Sequence, residues 1–290
     1  MTAGYLARLA ARTAATGTVL CVGLDPDPAS LPAGYSPDVR GIEAFCRLIL
    51  EASLPSATAV KANLAFFEAF GPDGIAALER LRASVPADLL FIADAKRADI
   101  GTTAARQAVA LFDRLDADAI TVSPYLGSEA IAPFLERADR FAYVLCRTSN
   151  PGAGELQDVL LSETDGAPAE PLYVRVARRA GGWGPGGTVG LVVGATAPDE
   201  MARIRAAAPG LAFLVPGVGA QGGDVEHVLR HGPATAPPAA PGAGGGLLVN
   251  VSRGIAGAVA GGPGQAIPAD PGEALAEAAS DWARRLPVLL

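Results

Sequence analysis

The sequence predicts an α/β protein, a closed (β/α)8 TIM barrel forming a single domain over residues 1–290. Three observations predict it. Eight short, β-rich apolar runs alternate with segments of helical periodicity, the pattern of βαβ units around a parallel sheet. The chain has 290 residues, 50% of them apolar, enough for one large barrel and its core. Polar residues with chemistry to offer fall after the C-terminal ends of the runs, where barrels of this kind keep their active sites.

In chain order, residues 6–15 read as a first helix ended by Gly17. The first strand, 19–24, is followed by Asp25. Residues 39–51 set Ile42, Phe45, Cys46, Ile49 and Leu50 on one helical stripe. The second strand, 58–62, is interrupted by Lys61, and the third, 89–93, is followed by Asp94-Ala95-Lys96-Arg97-Ala98-Asp99. A helical stripe then runs through Ala104, Ala108, Leu111, Phe112 and Leu115. Strands four and five are 119–122 and 142–146, the latter leading to Ser149 and Asn150. Strand six is 189–193. Strand seven, 211–215, leads into a glycine loop carrying Gln221, and strand eight, 247–251, into Ser252 and Arg253. Two Gly/Pro-rich stretches, 181–187 and 232–246, precede strands six and eight and read as surface insertions without direct chemistry. Residues 272–285 read as a closing helix.

The formal net charge of −7 argues against a broad nucleic-acid surface, though not against a local anion site. No apolar run approaches the roughly 20 residues that span a bilayer, and the N-terminal segment, with Arg8 and Arg12, lacks the apolar stretch of a secretory signal. Cys21, Cys46 and Cys146 are odd in number and set among apolar neighbours. They read as buried free thiols of a reducing compartment, so a cytoplasmic protein is expected. With His227 and His231 as the only histidines, a zinc site is not expected, an argument that leaves carboxylate-bound magnesium open.

Residues 217–222 spell G-x-G-x-x-G after a strand, the dinucleotide-binding fingerprint. That fingerprint needs an acid about 20 residues on, where this chain has Pro237-Pro238-Ala239-Ala240-Pro241. A glycine loop whose N–H groups face an anion fits better. Loops after strands seven and eight often form a barrel's phosphate site, and Gln221 and the Arg253 guanidinium suit phosphate oxygens. Residues two apart on a strand share a face, so Asp94 and Lys96 project together. Lys61, inside an apolar strand, needs an acidic partner, and Asp94 on the neighbouring strand can supply it. An alternating array of Lys61, Asp94, Lys96 and Asp99 is expected to hold its members in fixed protonation states. Unit charges about 4 Å apart interact by roughly 4 kcal/mol at an effective dielectric near 20.

With these residues in place, the chain resembles the orotidine 5′-phosphate decarboxylase family, in its longer bacterial subgroup, from about residue 19 to 255. The cluster matches the family's Asp-x-Lys-x-x-Asp signature, Lys61 its strand-two lysine, and Gln221 and Arg253 its phosphate-gripping positions. The resemblance implies that Asp25 binds the ribose hydroxyls, that Thr103 is a further ribose contact and that Ser149 contacts the pyrimidine. It implies loss of carbon dioxide from C6 of orotidine 5′-monophosphate, giving uridine 5′-monophosphate, with no metal or organic cofactor. Asp94 would lie against the substrate carboxylate, Lys96 would protonate C6, and Lys61 would orient Asp94 and contact the ribose. Asp99 would reach into the neighbouring subunit's site, which implies a homodimer. Two alternatives stand beside this resemblance. The magnesium-dependent keto-sugar-phosphate decarboxylases and hexulose-phosphate synthases share the signature but carry a metal-binding carboxylate where Lys61 stands. A non-catalytic nucleotide-binding barrel would gain nothing from a carboxylate facing an anionic ligand.

Overall fold

Each of the eight apolar runs forms a strand, because alternate residues can be buried on both faces of a sheet that closes on itself. The computed structural model describes residues 3–163, 169–219, 222–240, 242–259 and 268–289. The strands are β1 (Leu20–Leu24), β2 (Ala59–Asn63), β3 (Leu90–Arg97), β4 (Ala119–Val122), β5 (Phe141–Arg147), β6 (Val189–Val193), β7 (Ala212–Val215) and β8 (Leu248–Val251). They pair in sequence order, all parallel, and β8 closes on β1. The main helices are α1 (Tyr5–Thr16), α2 (Val39–Ser53), α3 (Gly71–Ala83), α4 (Gly101–Ala108), α5 (Leu172–Ala180), α6 (Pro198–Ala207), α7 (Val225–His231) and α8 (Pro271–Arg285). Between β4 and β5 the chain carries only the one-turn helix Ala132–Leu135. After β5 a short antiparallel pair, Leu160–Leu161 with Glu170–Pro171, precedes α5.

The alternation of strand side chains positions the site. Val22, Val60, Phe91, Ile120 and Val249 face out and join the helices in the larger core. Cys21, Ala59, Leu90, Ile92, Ala119 and Leu248 face in and fill the lower barrel. Two residues further on, the same inward face carries Lys61, Asp94, Thr121 and Asn250. Below this layer α1 closes the barrel floor: Tyr5 stacks on Phe141 at 4.6 Å between centroids, and its hydroxyl lies 3.1 Å from that of Tyr143.

The structure departs from the sequence reading in two places. The third strand does not end at Ala93; it runs on through the charged cluster to Arg97, because the pairing with β2 continues to Asn63↔Asp94 and that with β4 resumes at Arg97↔Val122. Segment 232–246 is not simply a surface insertion. Ala234 and Ala239 are buried in the barrel-floor cluster with Tyr5 and Leu9, and the turn Ala243–Gly246 packs against α1. Its small residues permit that close approach. Segment 181–187, by contrast, is largely exposed. All three cysteines are free and buried. Among the described residues no helix is long and apolar enough to cross a membrane.

Candidate active site

The C-terminal ends of the strands surround a cavity of about 470 Å³. Its floor is the inward layer of charges. Lys61 Nζ lies 2.9 Å from Asp94 Oδ2 and 3.7 Å from Asp25 Oδ1. Lys96 Nζ lies 2.7 Å from Asp94 Oδ1, the oxygen that also accepts from Thr121 Oγ1 at 2.7 Å. The array within one chain is therefore Asp25–Lys61–Asp94–Lys96, two cations and two anions in alternation. Lys61 and Asp94 are nearly buried, with side chains 5% and 11% exposed, whereas Lys96 is 50% exposed. Asp25 Oδ1 is buried and has no hydrogen-bond partner among the described residues, so it is free to accept from a ligand hydroxyl.

Burial alone would raise the Asp94 carboxyl; the Lys61 and Lys96 charges and their hydrogen bonds outweigh it and hold it well below the usual carboxylate range. Burial alone would lower Lys61; Asp25 and Asp94 outweigh it and hold its ammonium above the ordinary lysine value. The carboxylate's contribution to stability is present above about pH 4 and is lost as pH falls through the depressed value. The ammonium's is present below about pH 10 and is lost as pH rises through the raised one. Across the neutral range both stay charged.

Ser149 lines the cavity on the loop after β5. That loop is tied by Gln157, whose amide oxygen accepts from the Thr148 N–H at 2.8 Å and whose amide nitrogen donates to the Thr148 hydroxyl at 2.9 Å. Thr148 Oγ1 in turn donates to Asn150 Oδ1 at 2.6 Å. Arg253, which opens the one-turn helix Arg253–Ala256 after β8, lines the mouth. Its exposed guanidinium makes no hydrogen bond or ion pair with the described residues.

The structure thus brings together Asp25, Lys61, Asp94, Lys96, Ser149 and Arg253. It does not bring Asp99 or Thr103 to the same cavity. Asp99 accepts from the Ile100 N–H at 2.8 Å, and Thr103 is exposed in the first turn of α4. The expected four-member array with Asp99 is therefore incomplete within one chain, and Asp25 takes the fourth place. Gln221 lies outside the described residues. Thr121, Gln157 and Asn250 line the cavity without having been expected there. Thr121 and Asn250 each interrupt an apolar strand at an inward position, the signal that marked Lys61. Among the described residues no group of three or more His, Cys, Asp or Glu is placed to hold a metal ion.

A family model described as Orotidine 5'-phosphate decarboxylase / HUMPS family matches residues 18–267. The chain is 50% identical over 235 residues to the orotidine 5′-phosphate decarboxylase of Roseiflexus castenholzii, covering 81% of this chain and 82% of that one. It is 50% identical over 252 residues to the protein of the same name from Halorubrum lacusprofundi, covering 87% of each. Among solved structures it is similar to the OMP decarboxylase of Leishmania donovani, with a TM-score of 0.78, 37% identity and 98% of both chains covered. It is also similar to that organism's UMP synthase, with a TM-score of 0.79 and 41% identity, over 97% of this chain and 56% of the other.

Proposed function

The chain belongs to the orotidine 5′-phosphate decarboxylase family, and from that premise we infer how its residues divide the reaction that turns orotidine 5′-monophosphate into uridine 5′-monophosphate and carbon dioxide. The observation that carries the division is Asp94 fixed between two ammonium groups, at 2.9 Å and 2.7 Å, on the cavity floor. A substrate carboxylate placed against Asp94 meets a group that stays ionised, so the bound ground state is disfavoured relative to the transition state. The bond from C6 to the carboxylate carbon breaks, its electron pair remains on C6, and carbon dioxide leaves. Lys96 donates a proton to C6 and is reprotonated from water. Lys61 holds Asp94 and, with Asp25, takes the ribose hydroxyls. Ser149 contacts the pyrimidine. Arg253 and Gln221 grip the phosphate, far from C6, where binding energy can be used to hold the reacting end in place.

Asp99 and Thr103 would serve the site of a second copy in a homodimer. Support comes from the surface around Asp99. The Asp99 N–H points to the Ala130 carbonyl at 3.5 Å, so this loop and the segment after β4 adjoin. On them Ile100, Tyr125 and Leu126 are exposed. Three buried free thiols suit a cytoplasmic location. The described barrel suits a chain that is one domain.

The magnesium-dependent reading within the superfamily is disfavoured by Lys61, whose ammonium occupies the strand-two position and would repel the ion. The test is the loss of orotidylate absorbance on mixing with purified protein, with and without EDTA. Turnover that survives EDTA is expected. Absence of turnover overturns the decarboxylase reading, and turnover abolished by EDTA revives the magnesium one.

A further inference from the structure

Thr121 is the inward residue of β4 beside β3, and it is buried. The two strands pair at Ala93↔Ile120 and again at Arg97↔Val122. Three residues of β3, Asp94, Ala95 and Lys96, therefore span the interval that Thr121 alone fills on β4. Such a bulge breaks the ladder and leaves a backbone donor in need of a partner. The Lys96 N–H finds it in the side chain across the gap, donating to Thr121 Oγ1 at 2.9 Å. That bond uses the hydroxyl as acceptor and leaves its single hydrogen for Asp94 Oδ1, 2.7 Å away. The carboxylate has no hydrogen to give, so the direction of both bonds is fixed. Lys96 itself has φ 48°, a left-handed conformation that a residue with a side chain keeps only when its surroundings hold it.

We propose that Thr121 is a positioning residue for the decarboxylation: its one hydroxyl closes the β3 bulge and sets the Asp94 carboxylate and the Lys96 ammonium at a fixed separation. It acts through these two groups and not on the nucleotide's ribose or phosphate. Its removal therefore loosens the pair that meets C6 and leaves ligand capture intact. The inference rests on the decarboxylase reading of the same site.

The test compares Thr121→Val, which keeps the shape and loses the hydroxyl, with Thr121→Ser, which keeps the hydroxyl. The Val variant is expected to lower kcat about 10- to 100-fold, the range for one hydrogen bond to a charged group. KM for orotidine 5′-monophosphate and Kd for uridine 5′-monophosphate should stay within about threefold of wild type, and the Ser variant should turn over within about threefold of it. Exchange of the C6 hydrogen of uridine 5′-monophosphate with deuterium oxide, which passes through the same carbanion, should slow in step with kcat. A Val variant that turns over like wild type overturns the proposal, as does a rise in KM at unchanged kcat, or a Ser variant as impaired as Val. Circular dichroism and the thermal midpoint report folding. If Val misfolds, Thr121→Ala is measured in its place, and if both misfold the residue is structural and the proposal falls. A wild-type protein without turnover sinks the decarboxylase reading instead, so the two failures are distinguishable.

Discussion

Lys96 and Asp94 stand two residues apart with opposite exposures, 50% and 11% of their side chains. The difference suits the tasks proposed for them. A proton donor must reach its target and be resupplied from water, whereas a carboxylate that opposes another anion must stay charged and still. Lys96→Ala should lower kcat by about 10³-fold or more, at the upper end of what a general acid contributes. Binding of uridine 5′-monophosphate, followed by calorimetry, should remain measurable, and turnover near that of wild type would remove Lys96 from its role. Arg253 offers a guanidinium at the mouth that no described residue pairs, so Arg253→Ala should weaken uridine 5′-monophosphate by about 30- to 100-fold while leaving uridine nearly unaffected. Equal weakening of both ligands would place the phosphate elsewhere. Much of this layer was legible in the sequence because a charge inside an apolar strand has to be explained, as Lys61 does. Thr121 and Asn250 carry the same signal more faintly, since a hydroxyl or an amide is cheaper to bury than a charge. Gln157 gives none: it ends a one-turn helix in an irregular segment, and only the fold brings its amide to Thr148.

At the level of elements, the eight strands were legible to within a few residues because each is bounded by turn residues and buried on both faces. The course of β3 was not. Its last four residues, Asp94 to Arg97, offer no apolar alternation, and what keeps them in the sheet is pairing with Asn63 and Val122 together with the Thr121 hydroxyl. At the other end of the barrel, a second buried carboxylate does structural work. Asp118 is 3% exposed, accepts from the Phe91 N–H at 2.8 Å and pairs with Arg8 of α1 at 2.7 Å, with Arg82 of α3 3.7 Å away. It joins the first helix, the third helix and β3 at one point. Asp118→Ala leaves these donors without their shared acceptor and should lower the free energy of unfolding by about 3 kcal/mol. Urea denaturation measures the loss, and kcat of the folded protein should change little, since the site lies at the opposite strand ends. An unchanged urea midpoint would mean that the three helix and strand contacts hold without it.

At the level of the whole molecule, one copy supplies a cavity with Lys96 in it and carries Asp99 outside it. If Asp99 completes a neighbour's site, Asp99→Ala and Lys96→Ala should each be nearly inactive alone yet recover activity when mixed and allowed to exchange. In a 1:1 mixture half of the dimers are mixed, and each has one site with both residues intact. The expected recovery is therefore about a quarter of wild-type activity for a two-fold symmetric pair. No recovery in a mixture shown to exchange would confine Asp99 to its own chain. The floor of the barrel was the least legible part, because a stretch of Gly, Ala and Pro spells equally well a loose loop and a tight seal. Here it is the seal. A methyl group on Gly245 would fall 2.6 Å from the Ala234 backbone nitrogen, and one on Gly246 would fall 2.8 Å from Ala212 Cβ. The plainest spelling in the chain is thus among the hardest to rewrite: over generations it has fewer permissible letters than its monotony suggests, and drift there is checked by the underside of the barrel itself.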